Sequence, residues 1–131
     1  MVLIDTSVWV DFFNGIDSTH TKCLRKLIAK EQEEIFYTGL ILQEILQGIH
    51  LKKQRQQIFS DFEEFILIQP SLETHANAAE IFVSCREKGL TIRKSVDCVI
   101  ASIALEFDLE VLHRDRDFMH ISKVFPLKIR I

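Results

Sequence analysis

Acidic side chains occur at four positions of this sequence where a carboxylate suggests a chemical role: Asp5, Glu44, Asp97 and Asp115. Asp5 directly follows the short apolar run Val2–Ile4, and Asp115 follows a later apolar run in the same way. In an open parallel sheet, ligands bind beyond the carboxyl ends of the strands, so these acids could share one crevice. Clustered carboxylates repel one another unless a hard cation neutralises them. The pattern predicts a Mg²⁺ or Mn²⁺ site suited to phosphodiester hydrolysis.

Each of these acids also has a plain structural alternative. Asp5 could simply cap the helix that follows it, and Asp97 lies in the first turn of a predicted helix, where the helix dipole favours an acid. Glu44 lies at the edge of an apolar helical face, which is equally compatible with a solvated flank. Asp115 and Asp117 compete for one role, because either could cap a turn, pair with neighbouring arginines or bind the cation.

The elements that must position these acids alternate between short apolar strands and helices. The strands are predicted at residues 2–4, 35–38, 65–68, 110–113 and 125–131. The helices are predicted at residues 6–13, 19–30, 40–49, 52–64, 71–88 and 95–107. This alternation predicts an α/β fold with a small, mainly parallel sheet of four to five strands flanked by helices. The length predicts a single domain over residues 1–131.

The composition indicates a small cytoplasmic globular protein. Apolar residues make up 47% and charged residues 27% of the 131 residues, and the formal net charge is −3. This charge provides no global basic surface for nucleic acid, although a local basic rim would suffice beside a metal site. The three cysteines have no metal-binding spacing and read as reduced core residues. The sequence shows no signal peptide and no apolar run that approaches the ~20 residues of a membrane span.

Taken together and in order, four motifs of the sequence resemble the PIN-domain ribonucleases, and the short chain looks most like their VapC toxin branch. These motifs are Ile4-Asp5-Thr6-Ser7, Glu44-Ile45-Leu46-Gln47-Gly48, Asp97 at the start of a helix rich in small residues, and Asp115-Arg116-Asp117-Phe118. The resemblance spans essentially the whole chain. It implies a PIN-like fold and a Mg²⁺- or Mn²⁺-dependent endoribonuclease. It also implies a homodimer that a cognate VapB-like antitoxin neutralises.

Carried over position by position, the resemblance implies a role for each acid. Asp5, Glu44 and Asp97 match the core metal-binding acids, and Asp115 matches a fourth, more variable one, with Asp117 as its alternative. Ser7 matches a hydroxyl position that orients the first acid. We further expect basic residues near these acids to hold RNA phosphates, although a solvated turn explains each of them equally well. These candidates are Arg86, Lys88, Arg93, Lys94, Arg114 and Arg116.

Two other functions remain compatible with the same residues. In a non-catalytic binding module, the acids would merely receive arginines from a partner. In a phosphatase or receiver-type domain, Asp5 would be the nucleophile, but Ser7 occupies the position of the second acid that such domains use. No histidine suggests a general base, and His113 is expected to be structural. The predicted reaction is therefore metal-assisted hydrolysis of single-stranded or looped RNA.

Overall fold

A computed structural model describes residues 1–131. Its five strands are β1 (Val2–Ile4), β2 (Ile35–Tyr37), β3 (Ile66–Leu67), β4 (Glu110–Leu112) and β5 (Lys128–Ile129). They form one sheet in the order β3-β2-β1-β4-β5, and every neighbouring pair is parallel. The predicted α/β fold is confirmed. The two strands at the edges of the sheet are each only two residues long.

Seven α-helices and one short 3₁₀ turn connect and flank these strands. The helices are α1 (Thr6–Phe13), α2 (Thr19–Lys30), α3 (Gly39–Gln47), α4 (Lys52–Asp61), α5 (Leu72–Glu87), α6 (Ser95–Glu106) and α7 (Arg116–Ser122). The polar helix predicted at residues 52–64 ends earlier, because Phe62–Glu64 tightens into the 3₁₀ turn. Helix α7 is absent from the sequence-based prediction, since its seven residues are too few to establish a helical period.

Strand β1 lies at the centre of the sheet, and its three residues are fully buried. It pairs with β2 on one side and β4 on the other, with Leu3 opposite Phe36 and Val111. The pairing with β4 continues to the end of the strand, where the Asp5 N–H donates to the Leu112 carbonyl at 2.9 Å. The residues that follow β1 and β4 therefore emerge side by side at the carboxyl edge of the sheet.

Local signals in the sequence explain several helix ends. Ser71 and Thr74 form a reciprocal capping box at the start of α5, even though threonine replaces the usual Glu or Gln. Gly89 follows α5 with φ 78°, a left-handed conformation that glycine adopts without strain. Helix α6 begins one residue earlier than its predicted cap implies, with Lys94 at the N-cap and Ser95 as its first residue.

The fold has one hydrophobic core, and its cysteines form no disulfide bond. Twenty-eight buried hydrophobic residues form one cluster around the sheet. Cys85 and Cys98 are buried, Cys23 is partly buried, and all three are free thiols. None of the helices combines the length and the apolar character needed to cross a bilayer.

An ion-pair network around Arg130, near the carboxyl terminus, lies at the amino ends of β1, β2 and β4. Its guanidinium donates to Glu110 Oε2 at 2.7 Å and to both carboxylate oxygens of Glu33, at 2.8 Å for Oε1. The amino group of Met1 lies 3.4 Å from Glu33. The network thus joins both chain termini to β4 and to the loop that precedes β2.

Candidate metal centre

Three carboxylates converge at the carboxyl edge of the sheet: Asp97, Asp115 and Asp117. One oxygen of each lies within 4.8 Å of an oxygen of the other two. Asp97 projects from the first turn of α6, while Asp115 caps α7 and Asp117 lies in its first turn. Two helix N-termini therefore meet here, and their dipoles offset part of the repulsion between the acids.

Asp97 is the acid least compensated by its surroundings. Its residue is only 4% exposed, and its Oδ2 is buried without a hydrogen-bond partner. Burial, followed by the charges of Asp5 and Asp115, raises the pKa of Asp97 to about 8, and Lys94 only partly opposes this. The carboxylate form of Asp97 is costly here unless a cation is present.

Asp117 organises the loop before α6 and still leaves one oxygen free. Its Oδ2 accepts hydrogen bonds from the backbone N–H groups of Arg93 at 3.1 Å and Lys94 at 3.2 Å. Its Oδ1 is buried without a hydrogen-bond partner, and Arg93 approaches it only to 3.9 Å. Asp117 thus fixes the entry to α6 and presents a second unpaired oxygen beside Asp97.

Both oxygens of Asp115, by contrast, have partners within the chain. Oδ1 accepts from the Asp117 N–H as the N-cap of α7, and Oδ2 accepts from Lys94 Nζ, each at 3.1 Å. Burial alone would raise the pKa of Asp115, but hydrogen bonds from the Asp117 backbone and from Lys94 lower it overall. Asp115 is therefore held as a carboxylate next to Asp97.

Asp5 lies outside the group of three but acts directly on it. Its Oδ2 accepts from the Ser7 N–H at 3.1 Å and the Ser7 hydroxyl at 2.5 Å, which caps α1 and orients the carboxylate. Asp5 is 6% exposed, and its charge is the largest single charge effect on the pKa of Asp97. Asp5 therefore caps α1 and also raises the pKa of Asp97.

Glu44 also lies outside the group of three, on the Asp5 side of the site. It projects from α3, is partly buried, and accepts a hydrogen bond from the Thr6 hydroxyl at 2.9 Å. Thr6 is the residue after Asp5, so this bond ties Glu44 to the end of β1. Glu44 is thus not on a freely solvated flank.

The predicted RNA-contacting cations fall into three groups. Lys94 and Arg93 lie against the acids, with Arg93 3.9 Å from both Asp115 and Asp117. Arg114 instead forms a bidentate pair with Asp11, so a phosphate would have to compete with that carboxylate. The other three candidates, which form no ion pair with the acids, are Arg86, Lys88 and Arg116. The guanidinium of Arg86 lies 5.5 Å from the centre of the Phe82 ring on α5.

Sequence reasoning missed Asp11 altogether. It is a lone acid in an apolar helix, four residues after Ser7 and so on the same helical face, which is the signal that could have identified it. His113 Nδ1 accepts from the Asp115 N–H at 3.1 Å, and its ring packs on Phe118, contacts that are compatible with the expected structural role. Burial is the main cause that lowers the pKa of His113.

A family model described as the PIN domain matches residues 2–124 of this chain. The chain belongs to the PIN-domain family. Curated relatives of this PIN domain include the VapC ribonuclease Mb1587 of Mycobacterium bovis and ribonuclease VapC11 of Mycobacterium tuberculosis. Each is 32% identical to it over 133 residues, covering 98% of this chain and 96% of the relative. Within the family, the chain therefore belongs to the VapC branch.

Solved structures similar to this PIN domain agree on the fold. VapBC2 from Rickettsia felis, bound to a DNA fragment from its promoter, aligns with a TM-score of 0.75 at 20% identity, over 99% of this chain and 98% of that one. VapBC-1 from nontypeable Haemophilus influenzae aligns with a TM-score of 0.74 at 15% identity, over 99% and 97%. The predicted PIN-like fold is confirmed.

Proposed function

We propose that this PIN domain is a Mg²⁺- or Mn²⁺-dependent endoribonuclease that acts as the toxin of a toxin–antitoxin pair. The observation that carries the proposal is the buried group of Asp97, Asp115 and Asp117, in which two carboxylate oxygens have no partner. A buried carboxylate oxygen without a partner is costly, and a bound cation removes that cost.

The donor set fits a hard divalent cation. Every candidate ligand is a carboxylate oxygen, which Mg²⁺ and Mn²⁺ prefer over nitrogen or sulfur ligands. The unpaired Asp97 Oδ2 and Asp117 Oδ1 would bind it, with Asp5, Glu44 and Asp115 as the other acids of the site. When bound, such a cation supplies an acidified water for attack on phosphorus and stabilises the negative charge of the leaving oxygen.

The remaining residues of the chain would prepare these acids for the reaction. Ser7 orients Asp5, and Thr6 holds Glu44 through its hydroxyl. Asp97, with its raised pKa, holds a proton near neutral pH in the metal-free protein and releases it from its carboxyl group when a cation binds. Because the two unpaired oxygens face away from bulk water, few solvent molecules compete for them.

Arg93 is the best candidate to bind the RNA backbone at this site. More than half of its side chain is exposed, and its guanidinium lies 3.9 Å from Asp115 and Asp117 without a close hydrogen bond to either. It can therefore turn toward a phosphate next to the acids with little loss of internal pairing. Lys94 is less available, because it already donates to Asp115.

Similar structures support one part of the proposal, the antitoxin partner. The similar structures from R. felis and H. influenzae are VapBC assemblies, which supports a VapB-like antitoxin for this chain. We propose that the toxin acts in the cytoplasm, as a homodimer, and folds as a single domain over residues 1–131.

The decisive experiment compares wild type with Asp97→Asn. We expect the substitution to reduce RNA cleavage by about 100-fold or more, because it removes the charge that a cation needs at this position. Cleavage of a structured RNA would be measured with and without Mn²⁺, and Mn²⁺ binding by calorimetry. Asp108→Asn is the matched control, since Asp108 is an exposed acid that pairs with Lys128 away from the site.

Two outcomes would contradict the proposal. Undiminished Mn²⁺-dependent cleavage by purified Asp97→Asn would exclude the acid cluster as the metal site. Failure of the wild type to bind Mn²⁺ while it binds RNA would favour the non-catalytic binding module instead.

A further inference from the structure

We propose that Asp11 is a positioning residue for the acid cluster and that it acts through Arg114. This inference rests on the proposed function, because it concerns how the proposed metal site is held in shape. Asp11 belongs to α1 and Arg114 to the segment between β4 and α7, so the pair joins the helix that Asp5 caps to the segment that contains Asp115.

The pair has the geometry of a strong, directional contact. The Arg114 guanidinium donates through Nε to Asp11 Oδ2 at 2.5 Å and through an Nη to Oδ1 at 3.1 Å. Two parallel hydrogen bonds of this kind fix the relative orientation of both groups, which a single ion pair does not. Asp11 is 5% exposed, whereas half of the Arg114 side chain is accessible. The buried acid thus depends on a partner that reaches it from the surface.

A short chain of hydrogen bonds connects this pair to the acids. The Arg114 backbone N–H donates to the Ser7 hydroxyl at 3.4 Å, and the same hydroxyl donates to Asp5 Oδ2. Ser7 lies one helical turn before Asp11 on α1, so both contacts of Arg114 fall on one face of that helix. Arg114 therefore contacts the same hydroxyl that orients Asp5.

The same pair constrains the other side of the site. Asp115 follows Arg114 directly, and its backbone N–H is fixed by His113 Nδ1. The turn from Leu112 to Asp115 is therefore attached to α1 on one side and starts α7 on the other. Without Asp11, the Arg114 guanidinium would be free to leave α1, and both Asp5 and Asp115 would gain freedom of movement.

Positioning of this kind differs from a direct contact between Arg114 and RNA. If Arg114 bound a phosphate, its removal would raise KM, and removal of Asp11 would free the guanidinium and lower KM. If the pair positions the acids, removal of either partner lowers Mn²⁺ affinity and kcat together and leaves KM nearly unchanged.

The experiment measures Mn²⁺ binding by calorimetry, kcat and KM on RNA, and thermal unfolding for four variants. They are Asp11→Asn, Arg114→Gln, the double variant, and the conservative Arg114→Lys. Asp17→Asn is the matched control, because Asp17 is an exposed acid on the loop after α1 that pairs with Lys22 and Arg25 of α2. Arg114→Gln changes a half-exposed side chain and is expected to fold even if Asp11→Asn does not.

We expect each single variant to lose about 10- to 100-fold in Mn²⁺ affinity and in kcat, the range typical of partners that orient metal ligands. The double variant should be no worse than the worse single one, because both remove the same contact. Arg114→Lys should recover only part of the loss, since lysine keeps the charge without the two-pronged geometry.

Unchanged Mn²⁺ affinity and kcat in Arg114→Gln would overturn the positioning role, as would an effect confined to KM. A lower unfolding temperature with normal Mn²⁺ affinity would reduce the pair to a stabilising contact and would also overturn it. Failure of the proposed function is separable, because the wild type and Asp17→Asn would then neither bind Mn²⁺ nor cleave RNA.

Discussion

Asp97 is the acid whose ionisation is made unfavourable by burial and by the neighbouring carboxylates. Its pKa of about 8 reflects burial first and the neighbouring charges of Asp5 and Asp115 second. In unfolded chains an aspartate ionises near pH 3.9, so between roughly pH 4 and pH 8 the metal-free folded state holds a proton that the unfolded state has lost. Folding is therefore coupled to the protonation of this carboxyl group.

The sign of that coupling gives a prediction for metal-free protein. Because the folded state binds the extra proton, its free energy of unfolding should fall as pH rises from about 4 to about 8. For one proton this slope is at most about 1.4 kcal/mol per pH unit. Asp97→Asn cannot ionise, so we expect its curve to be flatter over this range and the variant to be more stable than wild type at pH 8.

Chemical denaturation in EDTA across this pH range, with both proteins side by side, measures the effect. Added Mn²⁺ should restore the stability of wild type at pH 8 and leave Asp97→Asn almost unchanged. Parallel pH curves for the two proteins would show that Asp97 ionises normally.

Individual residues also show where sequence reasoning reaches its limit. The sequence left Asp5 as either a helix cap or a site acid, yet one oxygen caps α1 while the charge acts on Asp97. A local pattern cannot resolve this, because capping is a contact within three residues and convergence on Asp97 depends on the whole sheet. For the same reason Arg114 was expected to face RNA, whereas its partner Asp11 lies 103 positions away in the chain.

At the scale of the element, the short helix α7 sets the roles of Asp115 and Asp117. Asp115 Oδ1 accepts the capping hydrogen bond of α7. Asp117 lies two residues later, in the first turn of the helix, and its Oδ1 has no hydrogen-bond partner. Asp115 is already satisfied by the helix and by Lys94, while Asp117 is not. We therefore expect Asp117, rather than Asp115, to bind a cation directly.

This distinction predicts unequal effects of two matched substitutions. Asp117→Asn should lower Mn²⁺ affinity by about 10-fold or more, since a neutral amide replaces the unpaired carboxylate oxygen. Asp115→Asn should have a smaller effect, because asparagine still caps a helix well and only the contact with Lys94 is weakened. Calorimetric titration with Mn²⁺ compares the two, and circular dichroism checks that both remain folded. A larger loss in Asp115→Asn would reverse the assignment.

Helices with clear capping residues or a long apolar period were predicted from the sequence, whereas the short helix α7 was not. Ser71 and Thr74 give a capping box, and Gly89 marks the end of the same helix. Helix α7 contributes only Phe118 and Ile121 to the core from its apolar side chains, so its period is too short to be recognised. Its cap, Asp115, was noticed for its charge, but the sequence could not show that this charge begins a helix.

At the scale of the whole molecule, the Arg130 network ties the termini to the sheet and makes part of the stability sensitive to acid. The hydrogen bond from Arg130 is the main cause that lowers the pKa of Glu33 to about 2, against a usual value of 4.5. Stability from this pair is fully present above about pH 4.5 and is lost as the pH falls toward 2.

We therefore expect Glu33→Gln to reduce the free energy of unfolding by about 1–2 kcal/mol at pH 7, allowing for partial solvent screening. The difference from wild type should shrink steadily below pH 4.5. Urea denaturation at pH 7 and pH 3 measures it, with Glu63→Gln as a control acid outside the network. A deficit that is equal at both pH values would show that the charge of Glu33 contributes nothing.

The alternation of strands and helices predicted the class of the fold but not the order of the strands. Nothing in the apolar runs distinguishes β1, the central strand, from β3 at the edge, because each is short and apolar. The order depends on crossovers between distant segments, such as the pairing of Leu3 with both Phe36 and Val111. That order is what brings the ends of β1 and β4 together.

The two-residue length of the edge strands limits how this molecule can assemble. Strands β3 and β5 each present only a few free backbone donors and acceptors, too few to template the addition of a strand from another chain. Aggregation by joining sheets edge to edge is accordingly disfavoured, even though Ile66 and Leu67 are exposed on β3. We therefore expect any second copy to associate through the helical faces, which leaves the sheet of each subunit five strands wide.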